Sequence, residues 1–193
     1  MPKIVAQKND WLKLGFKLFS RKGPAGIVVE QMSKSLGCNK SSFYWHFKSK
    51  DTFILDLVNM WKFNDTQLII NLADKESGIE ERMNRFIALV FQKDPNLDFV
   101  FYLKRYAIDK PEIQISIDEI DAQRLKYVHS LLMDLGFEED SASIKASIMY
   151  KYLIGFHEMY RYKTMEPGYL DDVKRDLSMM IAIHFVSDVF LTN

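Results

Sequence analysis

The sequence predicts an all-α protein made of a three-helix N-terminal head and a larger helical body. Three observations predict it. Apolar residues recur at helical spacing along almost the whole chain. Eight glycines and five prolines in 193 residues are too few for the many tight turns of an all-β chain. Charge is also sharply divided: residues 1–50 hold ten Lys/Arg against two acids, a net of +8, and residues 51–193 hold sixteen against twenty-four, a net of −8. A basic head on an acidic body has the charge distribution of a polyanion-binding module joined to a body that binds something else. With 48% of residues in the hydrophobic set and 27% charged, the chain can bury a substantial core, which excludes disorder as its main state. A single cysteine, Cys38, excludes an internal disulfide framework and a Cys-rich zinc site. No apolar run approaches the ~20 residues of a membrane span, and Met179 to Phe185 is broken by His184. The first ten residues lack the apolar stretch of a secretory signal. These features predict a cytoplasmic protein with no membrane partner.

Each element follows from local pattern. In Trp11 to Phe19, residues Leu12, Gly15, Phe16 and Phe19 share one face with lysines opposite, and Gly23-Pro24 ends that helix. A short helix from about Val28 to Leu36 is closed by Gly37. Asn39 is a good N-cap for a third helix, Lys40 to His46. Ser49 caps a long helix running through Phe53, Leu57, Met60 and Trp61 to about Leu72, with Asp51 in its first turn where the helix dipole favours an acid. Further helices are expected over 77–92, 96–108, 111–135, 139–164 and 170–191, with breaks at Asp94-Pro95, Lys110-Pro111, Leu135-Gly136 and Pro167-Gly168. The domain boundary is expected at the start of the long helix, giving 1–48 and 49–193.

Three helices in the first ~47 residues, the last two joined around Gly37, form a helix-turn-helix pattern. In such a motif the third helix enters the DNA major groove. Phe43 and Phe47 should face inward onto Leu12, Phe16, Phe19 and Met32, leaving Lys40, Ser41, Tyr44 and Trp45 outward. Exposing Tyr, Trp and His beside lysines is costly unless something docks there.

Trp11-Leu-x-x-Gly-x-x-Leu-Phe19, Gly23, Met32-Ser33-x-x-Leu36-Gly37 and Phe43-Tyr44-Trp45-His46-Phe47-x-Ser49-Lys50-Asp51 resemble the N-terminal domain of TetR-type transcriptional repressors over about residues 8–60. The resemblance implies that Tyr44 and Lys50 meet DNA phosphates. It implies too that Lys40, Ser41, Ser42 and Trp45 approach bases or phosphates, with His46 packing or touching backbone; Lys48 joins this DNA-binding set. One departure stands out. Where the family commonly begins its second helix with a Thr pair that caps the helix and reaches a phosphate, this chain has Ile27-Val28, and Val28 is free simply to pack. Cys38 stands at a small apolar turn position, where a buried inert thiol is expected.

For the body the resemblance implies a homodimer and a small-molecule effector. The last two helices supply apolar stripes for a four-helix interface: Ile148, Tyr152, Gly155 and Met159; Met149, Leu153, Phe156 and Tyr160; and Val173, Leu177, Met180, Ile181, His184 and Phe185. His184 and Asp188 are one turn apart on that seam. Candidate effector-pocket residues are Trp61, Phe86, Tyr102, Tyr106, Gln123, Tyr127, Tyr152 and Phe156, an apolar set with polar tips suited to a hydrophobic or aromatic ligand. Enzyme patterns fail. His157-Glu158 begins HExxH, but Arg161 replaces the second histidine. No histidine has a Glu three residues earlier, as a di-iron bundle needs, and no GxxxxGK[ST], GxGxxG or GxSxG occurs. No catalytic residue, metal or cofactor is expected. The reading is a ligand-responsive repressor on a pseudo-palindromic double-stranded operator; a DNA-bound adaptor with a protein partner, or a helical carrier without a DNA role, are the alternatives.

Overall fold

Helices α1 (Lys8–Lys22), α2 (Val29–Ser35), α3 (Lys40–Phe47), α4 (Lys50–Lys62), α5 (Leu68–Ala73), α6 (Ile79–Val90), α7 (Leu97–Tyr106), α8 (Pro111–Asp134), α9 (Glu139–Met159) and α10 (Tyr169–Ile181) carry the computed structural model, which describes residues 6–93 and 97–183. No strand occurs among the described residues. The chain packs as two units, Met1–Asn64 with Pro95–Ile120, and Asp65–Asp94 with Asp121–Asn193.

The first unit is built on rings. Trp11, Phe16 and Phe19 of α1, Phe43 and Phe47 of α3, and Phe53 and Trp61 of α4 are all buried. Phe43 lies 5.3 Å from Trp11 edge-to-face and 5.1 Å from Phe53, and Phe47 lies 4.7 Å from Phe53. Such pairs add to the ordinary gain of burial. The same core admits a partner remote in sequence: Phe99 of α7, fully buried, stacks on Phe16 at 4.3 Å and sits 5.1 Å from Phe19 and 6.0 Å from Trp61. Gly23 makes room for Tyr102 of α7. Its φ of 60° suits glycine, and a Cβ there would sit 2.6 Å from Tyr102 Cδ1.

Most caps follow the sequence, with three corrections. Ser49 Oγ accepts from Thr52 N at 3.0 Å, as expected of an N-cap. The Asn39 side chain, by contrast, caps nothing, and its backbone carbonyl instead takes Ser42 N at 3.0 Å. Val28 does not pack: it is 39% exposed at the start of α2, while Ile27 is the buried member of the pair. Cys38 is half-buried rather than buried, and that partial burial pushes its thiol pKa up.

The second unit buries Met83, Phe86, Ile87 and Phe91 against Val128, Leu131 and Leu132, with Met149, Phe156, Val173 and Leu177 from the last helices. Three helix bounds differ from expectation. The helix expected to reach Leu72 unbroken continues to Ala73, but Phe63–Gln67 forms a π turn. Asn64, Asp65 and Thr66 are weak helix formers whose side chains compete for backbone partners. Arg124 of α8 holds the widened turn, donating from Nε to Thr66 Oγ1 at 2.8 Å and from Nη2 to the Asp65 carbonyl at 3.3 Å. The helix expected over 139–164 stops at Met159, and the one expected over 170–191 stops at Ile181. There Ala182 turns left-handed at φ 54°, and Lys145 Nζ donates to the Ile181 carbonyl at 2.5 Å, satisfying a helix-end acceptor. His184, Phe185 and Asp188 lie outside the described residues.

Gly15 measures how tightly the first unit is packed. A Cβ there would lie 2.7 Å from Phe53 Cε1 and closer still to Cζ, and Phe53 is locked by Phe43 and Phe47. Helix propensity favours alanine by ~1 kcal/mol, and overpacking costs ~1–3 kcal/mol. Gly15→Ala is therefore expected to destabilise the protein, seen as a lower denaturant midpoint at unchanged slope.

Candidate nucleic-acid interface

The ring core fixes which face of α3 is left over. With Phe43 and Phe47 buried, Lys40, Ser41, Tyr44 and Trp45 are exposed. Tyr44 is 54% and Trp45 80% exposed, and this is the face a docked duplex would cover. Tyr44 leans edge-on to Phe43 at 5.4 Å, and Trp45 sits edge-on to His46 at 4.6 Å, so both exposed rings rest on ordered neighbours. Ser42 and His46 occupy the margin between the two faces and are half-buried. Ser42 Oγ receives Trp11 Nε1 at 3.4 Å and reaches the Ala6 carbonyl at 3.5 Å; His46 Nε2 lies 3.0 Å from the same carbonyl.

The turn into α4 completes the surface. Lys48 has φ 60°, a region that disfavours side chains, yet it places an exposed cation immediately after α3. Lys50 follows, exposed, at the first residue of α4, where free backbone N–H groups already favour an anion. Two other head cations are committed internally: Lys8 Nζ pairs with Asp56 at 2.8 Å and Lys34 with Glu30 at 3.2 Å.

Beside Lys50, Asp51 accepts from Tyr106 Oη at 2.7 Å and pairs with Lys110 Nζ at 3.4 Å. The tyrosine hydrogen bond, then Lys110, holds the Asp51 carboxyl below its usual range. Burial, then the bond to Asp51, pushes the Tyr106 phenol up to about 12. Tyr106, expected to line an effector pocket, thus ties α7 to the first turn of α4.

The other effector candidates divide between the units. Trp61 and Tyr102 belong with Tyr106 to the first, Phe86, Gln123, Tyr127, Tyr152 and Phe156 to the second. There Phe86 meets Tyr127 edge-to-face at 5.3 Å, and Tyr127 Oη donates to Asp74 at 2.7 Å. Tyr152 and Phe156 join Phe91, Tyr160 and Tyr169 in a second cluster, with Phe156 to Tyr160 at 4.6 Å and Phe91 to Phe156 at 5.1 Å. Tyr152 Oη donates to Asp176 at 2.8 Å. Gln123 Nε2 donates to Gln67 Oε1 at 3.1 Å, beside the Arg124 clasp. Sequence reasoning missed Arg124 and the Tyr150 hydroxyl, which donates to Asp121 at 2.6 Å; each is a single polar group in an amphipathic helix, and no spacing marks it. His157, the HExxH lookalike, sits 2.8 Å from the Val90 carbonyl. Among the described residues no group of three His, Cys, Asp or Glu could hold a metal, and no helix is long and apolar enough to cross a membrane.

The Asp51–Tyr106 pair has a signed pH dependence. A phenol whose folded pKa lies above its unfolded value near 10 stabilises the fold below pH 10 and loses that contribution as pH rises through about 12. Tyr106→Phe is expected to remove this alkaline dependence and to let the Asp51 carboxyl rise toward its ordinary range, followed by carboxyl carbon NMR against pH.

Comparison with known proteins agrees with this geometry. Residues 12–57 match the family model for bacterial regulatory proteins of the tetR family. A 49-residue stretch is 35% identical to the uncharacterized HTH-type transcriptional regulator YerO of Bacillus subtilis, covering 25% of this chain and 17% of that protein's length. Solved structures share the fold over nearly the full chain: a TetR transcriptional regulator from Legionella pneumophila, at 14% identity and TM-score 0.73, covers 93% of this chain and 98% of its own. A transcriptional regulator from Saccharomonospora viridis, solved in complex with choline, gives 15% identity and TM-score 0.74 over 91% and 95%. The head over residues 12–57 is thus similar to the DNA-binding domain of TetR-family regulators, and the helices of the chain adopt the fold of solved regulators of that kind.

Proposed function

We propose that this regulator is a ligand-responsive repressor that binds a pseudo-palindromic operator as a homodimer and leaves it when a small hydrophobic or aromatic effector binds the body. The observation that carries the DNA contact is the exposed face of α3, where Tyr44 and Trp45 stand with Lys40 above a sealed aromatic core and lead into Lys48 and Lys50. Tyr44 and Lys50 take phosphates, and Lys40, Ser41 and Trp45 approach base edges. Residues 1–48 form the DNA-contacting head and 49–193 the effector and dimer portion. Both activities belong to the cytoplasm, and neither is catalytic.

Dimerisation through the last two helices is supported by large apolar side chains left in solvent there: Ile144, Ile154, Met159, Met179 and Met180. Of the stripes read in α9, Met149 and Phe156 serve the chain's own core, whereas Gly155 and Met159 stay exposed for a partner. The aromatic cluster of Phe91, Tyr152, Phe156, Tyr160 and Tyr169 supports the effector reading, since packed rings receive flat or cationic ligands. A related fold solved with choline is a precedent for a small ligand. Effector binding acts on the head through the helix that begins at Ser49, with a coupling of ~1–3 kcal/mol.

Selection of genomic fragments bound by the protein, with and without cell extract, tests the reading and isolates the operator. On that operator Lys50→Ala is expected to lower the salt slope by ~0.9, one phosphate's worth, and Tyr44→Phe to weaken binding to every sequence. An unchanged slope removes Lys50 from the interface. The dimer has its own test. Met179, 81% exposed, becomes a buried unpaired charge in Met179→Lys if α10 lies in the interface. That variant is expected to sediment as a monomer, and a persistent dimer places the interface elsewhere.

A further inference from the structure

We propose that His46 and Ser42 do not read DNA but position the recognition helix, fastening α3 to the chain where it enters α1; the inference rests on the DNA-binding reading above. Ala6 is 3% exposed and precedes α1. The first turn of that helix is closed by Asp10 N and Trp11 N on the Gln7 carbonyl, one residue later. The Ala6 carbonyl is thus a buried acceptor outside the helical ladder, and such a group needs a donor. Two come from α3, one turn apart on the same margin: His46 Nε2 at 3.0 Å and Ser42 Oγ at 3.5 Å.

The chemistry of the acceptor fixes the rest. A backbone carbonyl only accepts, so His46 carries a proton on Nε2 in this arrangement. The single Ser42 hydroxyl proton goes to the same carbonyl while its oxygen receives Trp11 Nε1 at 3.4 Å. Ser42 can meet a base edge only by giving these partners up, which removes it from the reading set and leaves Lys40, Ser41, Tyr44 and Trp45 there. The tether also steadies part of what remains, because the exposed Trp45 ring rests edge-on against the His46 imidazole at 4.6 Å. Loosening the imidazole lets both the tilt of α3 and the Trp45 ring wander, and a reading face displaced by an ångström loses specific contacts before it loses phosphate contacts.

The experiment is a cycle of variants measured on two duplexes of equal length, one selected by the wild-type protein from a random library and one of mixed sequence. His46→Ala is expected to lose about tenfold in affinity for the selected duplex, the scale of one net hydrogen bond, and much less for the mixed one, with an unchanged salt slope. His46→Gln, whose amide nitrogen takes the place of Nε2, is expected to restore most of the loss. In a chain shortened to begin at Gln7, which lacks the Ala6 carbonyl, His46→Ala is expected to change nothing further. A slope lowered by ~0.9, or an equal loss in the shortened chain, would overturn the proposal and assign His46 to a phosphate. The same cycle in denaturant unfolding needs no DNA: His46→Ala lowers stability in the full chain and not in the shortened one, and equal effects in both would defeat the tether whatever the duplexes show. Failure of the wild type to prefer any selected duplex defeats the DNA-binding reading instead.

Discussion

The contact among Trp11, Phe43, Phe47 and Phe53 is the constraint on which the head depends. It takes two of the eight residues of α3 out of solvent and, by helical geometry, decides which of the others point away from the protein. A short helix of this composition has little stability of its own; it exists because one face is held by rings from α1 and α4. The exposed Tyr44 and Trp45 are tolerable for the same reason, since a rigid support keeps them from collapsing onto the surface they would otherwise cover. The exposed face and the core are in this sense two sides of one short helix.

Much of the head was legible in the sequence because its contacts are local. Gly37, Ser49 and the Phe43/Phe47 spacing each announce a backbone or packing requirement within a few residues. The recruitment of α7 was not legible: Phe99 and Phe16 meet across most of a domain's length, and nothing in either local pattern distinguishes a ring bound for the head from one bound for the body. Asn39 shows the opposite failure. A residue with the right chemistry and the extended backbone of an N-cap makes no side-chain cap hydrogen bond. In the body, helix existence was readable from periodicity, while a partner of a helix end such as Lys145, which arrives from another helix to meet the Ile181 carbonyl, was not.

The effector candidates illustrate the same limit at the level of function. Eight polar-tipped or aromatic residues share one composition signal, yet they serve different ends. Tyr106 anchors the start of α4, Tyr127 and Tyr152 bind aspartates, and Gln123 joins Gln67. Partial burial, and then the carboxylate partners, raise the phenol pKa values of Tyr127 and Tyr152 well above the ordinary tyrosine range. These hydroxyls are fixed donors, neutral at any physiological pH, and a ligand meeting them meets hydrogen-bond geometry rather than charge.

The π turn at Phe63–Gln67 bears on how this chain can change in length. A π turn accommodates one residue more than the α-helical turn it replaces. Loss of one residue from an ordinary stretch of α4 would rotate everything beyond it by about 100° and turn its buried face toward water. Loss of one residue inside the π turn instead restores the regular α-helical hydrogen-bond ladder at that point. Arg124, which clasps that turn through Thr66 and the Asp65 carbonyl, is then the group that would have to find new partners. The long helix therefore contains one place where a deletion is a local repair, set between stretches where it would be a frame change in three dimensions.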